Sequence, residues 1–227
     1  MPDLNIFNQP LDLIFTGQSE SFEFLTPYVD NIESLDGNFT IQLLLSGTLE
    51  NPIRGGQISI QNATLELLQL DNSIDHLSGV ATINNNRLII KKLSGKLSEN
   101  ISKKPFLPSL FTLTKDIFND SKSNEANNLI INGTLDLNDF FHPNYTLSIE
   151  GKDIYLNSTY WQIEGNGEAE IFISGKDTVL FTGEFKPSPN NFKLFSLGDD
   201  YNIDMVNITK DRLVKYDIHV PFQDGII

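Results

Sequence analysis

Three histidines (His76, His142 and His219) and two acidic pairs (Asp71 with Asp75, Asp199 with Asp200) are the side chains of this 227-residue chain best suited to proton transfer or metal binding. In "LQLDNSIDHLSG", Asp71, Asp75 and His76 could together hold a weakly bound cation, although capping of turns by Asp is much the commoner reason for such positions. Asp199 and Asp200 in "LGDDYNID" invite the same turn-capping reading. The histidines lie far apart, with no spacing suited to a shared metal, and His219 falls on the polar side of its segment. Paired catalytic carboxylates can assemble across a fold from distant positions. Yet the sequence contains no glycine-rich phosphate loop, no nucleophile elbow and no zinc motif. It also contains no cysteine, which removes thiolate nucleophiles, thiolate metal sites and disulfides together. The expectation is a protein that is not an enzyme, with no catalytic residues, no metal and no cofactor.

Composition narrows the partners. Thirty acidic residues against 16 basic ones give a formal charge of −14, which repels phosphate backbones, so no nucleic acid is expected as a partner. Hydrophobic residues make up 39% of the chain, enough to form a core. No apolar run approaches the ~20 residues of a membrane-spanning helix. The N-terminus "MPDLNIFNQP" lacks the charged and apolar regions of a signal peptide, and the C-terminus "HVPFQDGII" ends on strand-like residues. A piece of a longer chain is expected. Asn-x-Ser/Thr triplets at Asn38, Asn62, Asn132 and Asn207 follow from a composition rich in those residues.

The elements that would position any site have a period of two. Phe39, Ile41, Leu43 and Leu45 alternate with Thr40, Gln42 and Leu44, ahead of Ser46. Tyr145, Leu147 and Ile149 alternate with Thr146, Ser148 and Glu150; Val214, Tyr216, Ile218 and Val220 alternate with Lys215, Asp217 and His219. Such alternation marks strands with one apolar and one wet face, the antiparallel habit. Gly, Asn and Asp punctuate the runs where turns belong. The expected class is all-β. Two places depart from it. "SESFEFLTPYVDNIESLDG" spaces Phe22, Leu25, Val29 and Ile32 like a helix, so a short helical excursion is expected near 19–34. Ser98–Asn128, with two prolines and a polar tail, reads as a long loop. The chain thus divides into a first β segment at 1–98, a loop or insertion at 99–128, and a second β segment at 129–227.

Weak internal repetition links the two β segments: Gly47–Thr48–Leu49–Glu50 is echoed by Gly133–Thr134–Leu135–Asp136. The recurring apolar stripes admit two readings. One is a core clasped against a second sheet. The other is a curled sheet whose inward face lines a channel. Burial of a Val, Leu or Ile side chain is worth ~1.5–3 kcal/mol, so such a face must meet either protein or lipid.

The stretch Pro10–Leu67 resembles the C-terminal region of TamB-like proteins of the AsmA-like superfamily. The matching pieces are "PLDL" (Pro10–Leu13), "LDG" (Leu35–Asp36–Gly37), "SGTLENP" (Ser46–Pro52) and the glycine-led strand from Gly56 to Ala63. "ISGKDTVLFTGEF" resembles the family's strand, glycine, strand step through Gly175 and Gly183. The resemblance implies an elongated, curled antiparallel sheet forming a groove, in a periplasmic segment of an envelope protein of a diderm bacterium. Its inner-membrane anchor would lie in a part of the chain outside this sequence. It implies phospholipid acyl chains as the guest, carried toward the outer membrane. The alternative it implies is a scaffold for an outer-membrane β-barrel protein that adds a strand to an open sheet edge. The groove would be lined from the first segment by Phe39, Ile41, Leu43, Leu45, Ile58, Ile60, Leu65 and Leu67. From the second it would take Leu129, Ile131, Leu135, Tyr145, Leu147, Ile149, Ile171, Ile173, Val179, Phe181, Phe185, Tyr216, Ile218 and Val220. Gly37, Gly47, Pro52 and Gly56 would shape the turns and bends.

Overall fold

The structure, a computed structural model, describes residues 8–21, 32–101, 127–139, 142–194 and 213–221. The strands are β1 (Pro10–Ser21), β2 (Ile32–Thr48), β3 (Pro52–Leu67), β4 (Asn72–Asn84) and β5 (Arg87–Ile101). They continue with β6 (Leu129–Asp136), β7 (Asn144–Ser158), β8 (Ile163–Gly175), β9 (Thr178–Leu194) and β10 (Leu213–His219). Among the described residues these ten strands form one sheet whose spatial order is the sequence order. The all-β class is therefore as the alternation dictates, and β5 pairs directly with β6, so one sheet runs through both halves of the chain.

Three details differ from expectation. The sheet is mixed: β10 lies parallel to β9, every other pair being antiparallel. Residues 195–212 separate those two strands, and a parallel neighbour requires a crossover where an antiparallel one needs only a turn. The sheet is also open and uncurled along its length, because its bending is gathered into one line and not spread over the ribbon. Finally, the helical excursion is not seen: Ser19–Ser21 belong to β1 and Ile32–Ser34 to β2, while residues 22–31 lie outside the described residues. The expected loop likewise begins late, since Ser98–Ile101 continue β5, and residues 102–126 lie outside the described residues.

The bend line crosses most strands at one level. Register slips occur at Ser19/Ser21 in β1, Asp36/Asn38 in β2, Ile60/Ala63 in β3 and Asp75/Ser78 in β4. They recur at Gly151/Ile154 in β7 and Gly165/Gly167 in β8. Along this line Asn62, His76 and Asp153 adopt positive φ (51°, 53° and 49°), a conformation bulges require and Asn and Asp tolerate best. Gly37 belongs to the same line: its φ is 143°, and a Cβ there would lie 2.4 Å from the Ala63 Cα, so only glycine fits.

Past the bend, the sheet end turns back over its own apolar face. Trp161, in the β7–β8 turn, stacks edge-on against Tyr216 of β10 with ring centroids 6.0 Å apart. Tyr216 is level with Phe181, and Phe181 with Ile173, about 33 Å along β8 from Ile163 at ~3.3 Å per residue. The ring reaches that far only if the hairpin end folds back. This folded end holds the packed core: Ala63, Ile74, Leu77, Leu97 and Ile154, joined by Phe39, Leu129, Phe185 and Phe192.

β6 is short, and the slot it leaves between β5 and β7 is closed by asparagines whose carboxamides imitate a strand's peptide groups. Asn128 Oδ1 accepts from Leu97 N at 2.9 Å, and its Nδ2 donates to Leu97 O and Asp153 O at 3.0 and 3.1 Å. Asn72, 1% exposed, donates from Nδ2 to Ser98 O (2.9 Å) and Tyr155 O (2.8 Å) and accepts from Asn157 N (3.2 Å). At the opposite end Asn86, in the β4–β5 turn, accepts from Arg54 N (2.7 Å) and donates to Pro52 O (3.2 Å). Buried backbone groups must be paired, and these side chains do what an absent strand would have done.

Candidate functional site: an unpartnered apolar face

Residues directly opposite one another in neighbouring strands point to the same side of a sheet. The register therefore sorts every side chain by face. One row reads Phe39, Ile60, Gly79, Leu93, Ile131, Ile149, Ile171, Gly183 and Ile218 across nine strands. The next reads Ile41, Ile58, Ala81, Ile90, Gly133, Leu147, Ile173, Phe181 and Tyr216. A third runs through all ten strands, with Phe15, Leu43, Gly56, Ile83, Leu88, Leu135, Tyr145, Gly175, Val179 and Val214. The opposite face is mainly polar, for example Thr16, Gln42, Gln57, Thr82, Ile89, Thr134, Thr146, Ser174, Leu180 and Lys215.

The structure places the expected groove residues in two environments. Phe39, Leu129 and Phe185 are buried in the core, while Ile41, Ile60, Leu65, Leu67, Ile131, Ile149, Ile218 and Val220 pack against it near the bend. Val179 is buried outside that cluster. Leu43, Leu45, Ile58, Leu135, Tyr145, Leu147, Ile171, Ile173 and Phe181 are half-buried, and Tyr216 is exposed. Tyr216 meets Trp161 of the returning β7–β8 turn; among the described residues the closest approaches between non-neighbouring strands are those of β5 and β4 to β7, at the gap beside β6. Away from that returning end, the apolar side of the sheet stays half wet. At ~4.8 Å per strand, nine strands make a face roughly 40 Å wide. An acyl chain, about half of the ~30 Å hydrocarbon core of a bilayer, fits within it.

Of the anticipated bend-forming positions, Gly47 and Pro52 lie opposite each other beside the β2–β3 turn. Gly56 does not sit at a turn. It lies inside β3 at φ 135°, where a Cβ would come 2.1 Å from Gln42 O of β2. Several lining residues escaped the sequence pattern: Leu88, Ile90 and Leu93 of β5, and Ile154 and Leu156 of β7. Bulges at Ile90/Leu93 and Gly151/Ile154 reverse the parity of each run midway, so "RLIIKKLSG" does not alternate by eye. The asparagine plugs have no linear signature, because their partners are backbone groups of distant strands.

Among the described residues the chemically equipped side chains sit at separate places in the sheet. Asp71 accepts from Thr159 N and Oγ1, both at 2.7 Å, tying the β3–β4 turn to the end of β7. Asp75 accepts from Ser73 Oγ at 2.9 Å, whereas His76 Nδ1 lies 2.7 Å from Asn62 Oδ1. His142 and Lys176 flank Asp139, and the Lys176 hydrogen bond and charge hold that carboxyl below its usual range. Asp199 and Asp200 lie outside the described residues. No group of three or more potential metal ligands occurs among the described residues. A polar cavity of about 330 Å³ occupies the slot beyond β6, lined by Lys96, Leu97, Ser98, Glu99, Asn128, Asp153, Tyr155 and Asn166. There Tyr155 is pushed up to about 12, chiefly by burial and then by its 2.6 Å hydrogen bond to Glu164.

An open single-layer sheet with one wet and one greasy side defines a β-scaffold that offers a surface. Compared with protein-family models, curated proteins and solved structures, the chain matches none.

Proposed function

We propose that the chain is a periplasmic segment of a TamB-like envelope bridge that carries phospholipid on its apolar face, acyl chains against the sheet, toward the outer membrane. The observation that supports this reading is the half-wet apolar face running in register across nine strands. It accompanies the sequence resemblance over Pro10–Leu67. Each Leu or Ile there forgoes part of its ~1.5–3 kcal/mol of burial until something apolar covers it. An acyl chain can slide along such a surface because methylene contacts have no directional preference. The polar opposite face and the charge of −14 keep the other side in water.

The test is native mass spectrometry and thin-layer analysis of lipid extracted from the purified chain. Phospholipid should co-purify with the wild type and be lost from Leu43→Asp and Leu147→Asp, with circular dichroism unchanged. Lipid-free wild-type protein that also fails to take up fluorescent phospholipid from vesicles would overturn the reading. Photocrosslinking of a barrel-derived peptide to a sheet edge, with no lipid bound, would favour the strand-adding scaffold instead.

A further inference from the structure

We propose that the β1 edge is a self-association surface through which a second copy of this chain pairs antiparallel, joining two sheets into one. The proposal stands apart from the lipid reading, because it concerns the sheet's edge and not its face.

Among the described residues β1 is a sheet edge, with β2 as its only partner strand. Natural edges are protected by charge, proline, bulges or brevity. β1 has none of these through its middle: it is 12 residues long, its proline is the first residue, its bulge comes only at Ser19/Ser21, and no charge lies between Asp12 and Glu20. Three consecutive apolar residues stand in solvent there, Leu13 at 43%, Ile14 at 65% and Phe15 at 56% exposure.

The choice of occupant follows from the symmetry of this segment. Antiparallel pairing centred on Ile14 sets Ile14 against Ile14 on one face. On the other it sets Leu13 of each copy against Phe15 of its mate. All three exposed apolar residues are then covered by one another. Asp12 falls opposite Thr16, so no carboxylate faces another. The two-fold axis stands perpendicular to the sheet, and both apolar faces point to the same side. An isologous interface demands this kind of self-complementarity, and a foreign strand would have no reason to match it.

The chain has no cysteine, which makes a single introduced thiol a clean reporter of register. Ile14→Cys should oxidise to a covalent dimer, because opposite Cβ atoms in paired strands lie within disulfide reach. Asp12→Cys and Gln18→Cys, which face Thr16 and Pro10 of the mate, should not. Sedimentation equilibrium should show a wild-type dimer that tightens with salt, since each copy carries −14, and a monomeric Ile14→Asp variant. A wild type that remains monomeric at high protein concentration and high salt would overturn the proposal. So would crosslinking of the Asp12→Cys or Gln18→Cys variant in place of Ile14→Cys. Ile14 projects into solvent, so these variants leave the fold intact, and unchanged circular dichroism checks that.

Discussion

Replacing Asn72 by alanine tests whether a side-chain amide can hold a sheet together where a strand is missing. The substitution removes the partner of three backbone groups: Ser98 O, Tyr155 O and Asn157 N. A net hydrogen bond is worth roughly 1 kcal/mol, and a buried group left unpaired costs about 1–3 kcal/mol. The neighbouring cavity is lined by both Ser98 and Tyr155, so water can reach part of the damage. The expected loss is therefore about 2–4 kcal/mol. For a chain of this size that corresponds to a fall in Tm of about 4–16 °C, at roughly 2–4 °C per kcal/mol. Asn72→Asp sharpens the test. Its carboxylate can still accept from Asn157 N but sets negative oxygens against two carbonyls. At neutral pH it should be less stable than Asn72→Ala. Burial among acceptors raises that carboxyl's folded pKa, so its share of stability is intact below the ordinary ~3.9 and is lost as pH rises through the raised value. Urea unfolding followed by circular dichroism measures both variants. An Asn72→Ala loss below about 0.5 kcal/mol, or an aspartate variant that matches wild type at pH 7, would refute the reasoning.

Other consequences are equally direct. Tyr155, pushed up to about 12, should stay un-ionised to unusually high pH in an ultraviolet absorbance titration. Because its folded value lies above the ordinary ~10, the stability it contributes is complete below pH 10 and disappears as pH climbs toward 12. Gly56→Ala should lower stability by about 2 kcal/mol or more in urea, since it combines a left-handed backbone with a Cβ 2.1 Å from Gln42 O. Gly17→Ala, where a Cβ meets nothing, should fall within about 0.5 kcal/mol of wild type.

Alternation made the strands legible. Tyr145–Ile149 and Phe39–Leu45 each keep one parity through an unbroken ladder, and every residue assigned there to the apolar side lies on it. Legibility ended wherever a bulge inserts a residue. Ile60 and Ala63 share a face although their spacing is odd, and Leu88, Ile90 and Leu93 do the same in β5. The helix-like spacing of Phe22 to Ile32 is flanked by strand at Ser19–Ser21 and Ile32–Ser34, and its middle lies outside the described residues. The parallel placement of β10 was invisible because residues 213–219 alternate identically in either direction. Asp71 looked like a metal ligand by type, but its partner Thr159 is remote in sequence and only the fold joins them.

The line of bulges has a kinetic consequence. It separates a well-packed end, where Ala63, Leu77, Ile154 and Phe192 are buried, from a broad plate with few buried contacts. Amide protons behind that line should therefore exchange with solvent only on global unfolding, while those of the plate escape through local opening. The protein would then behave as a firm handle bearing a pliable blade, able to flex against whatever it touches while its anchorage keeps its shape.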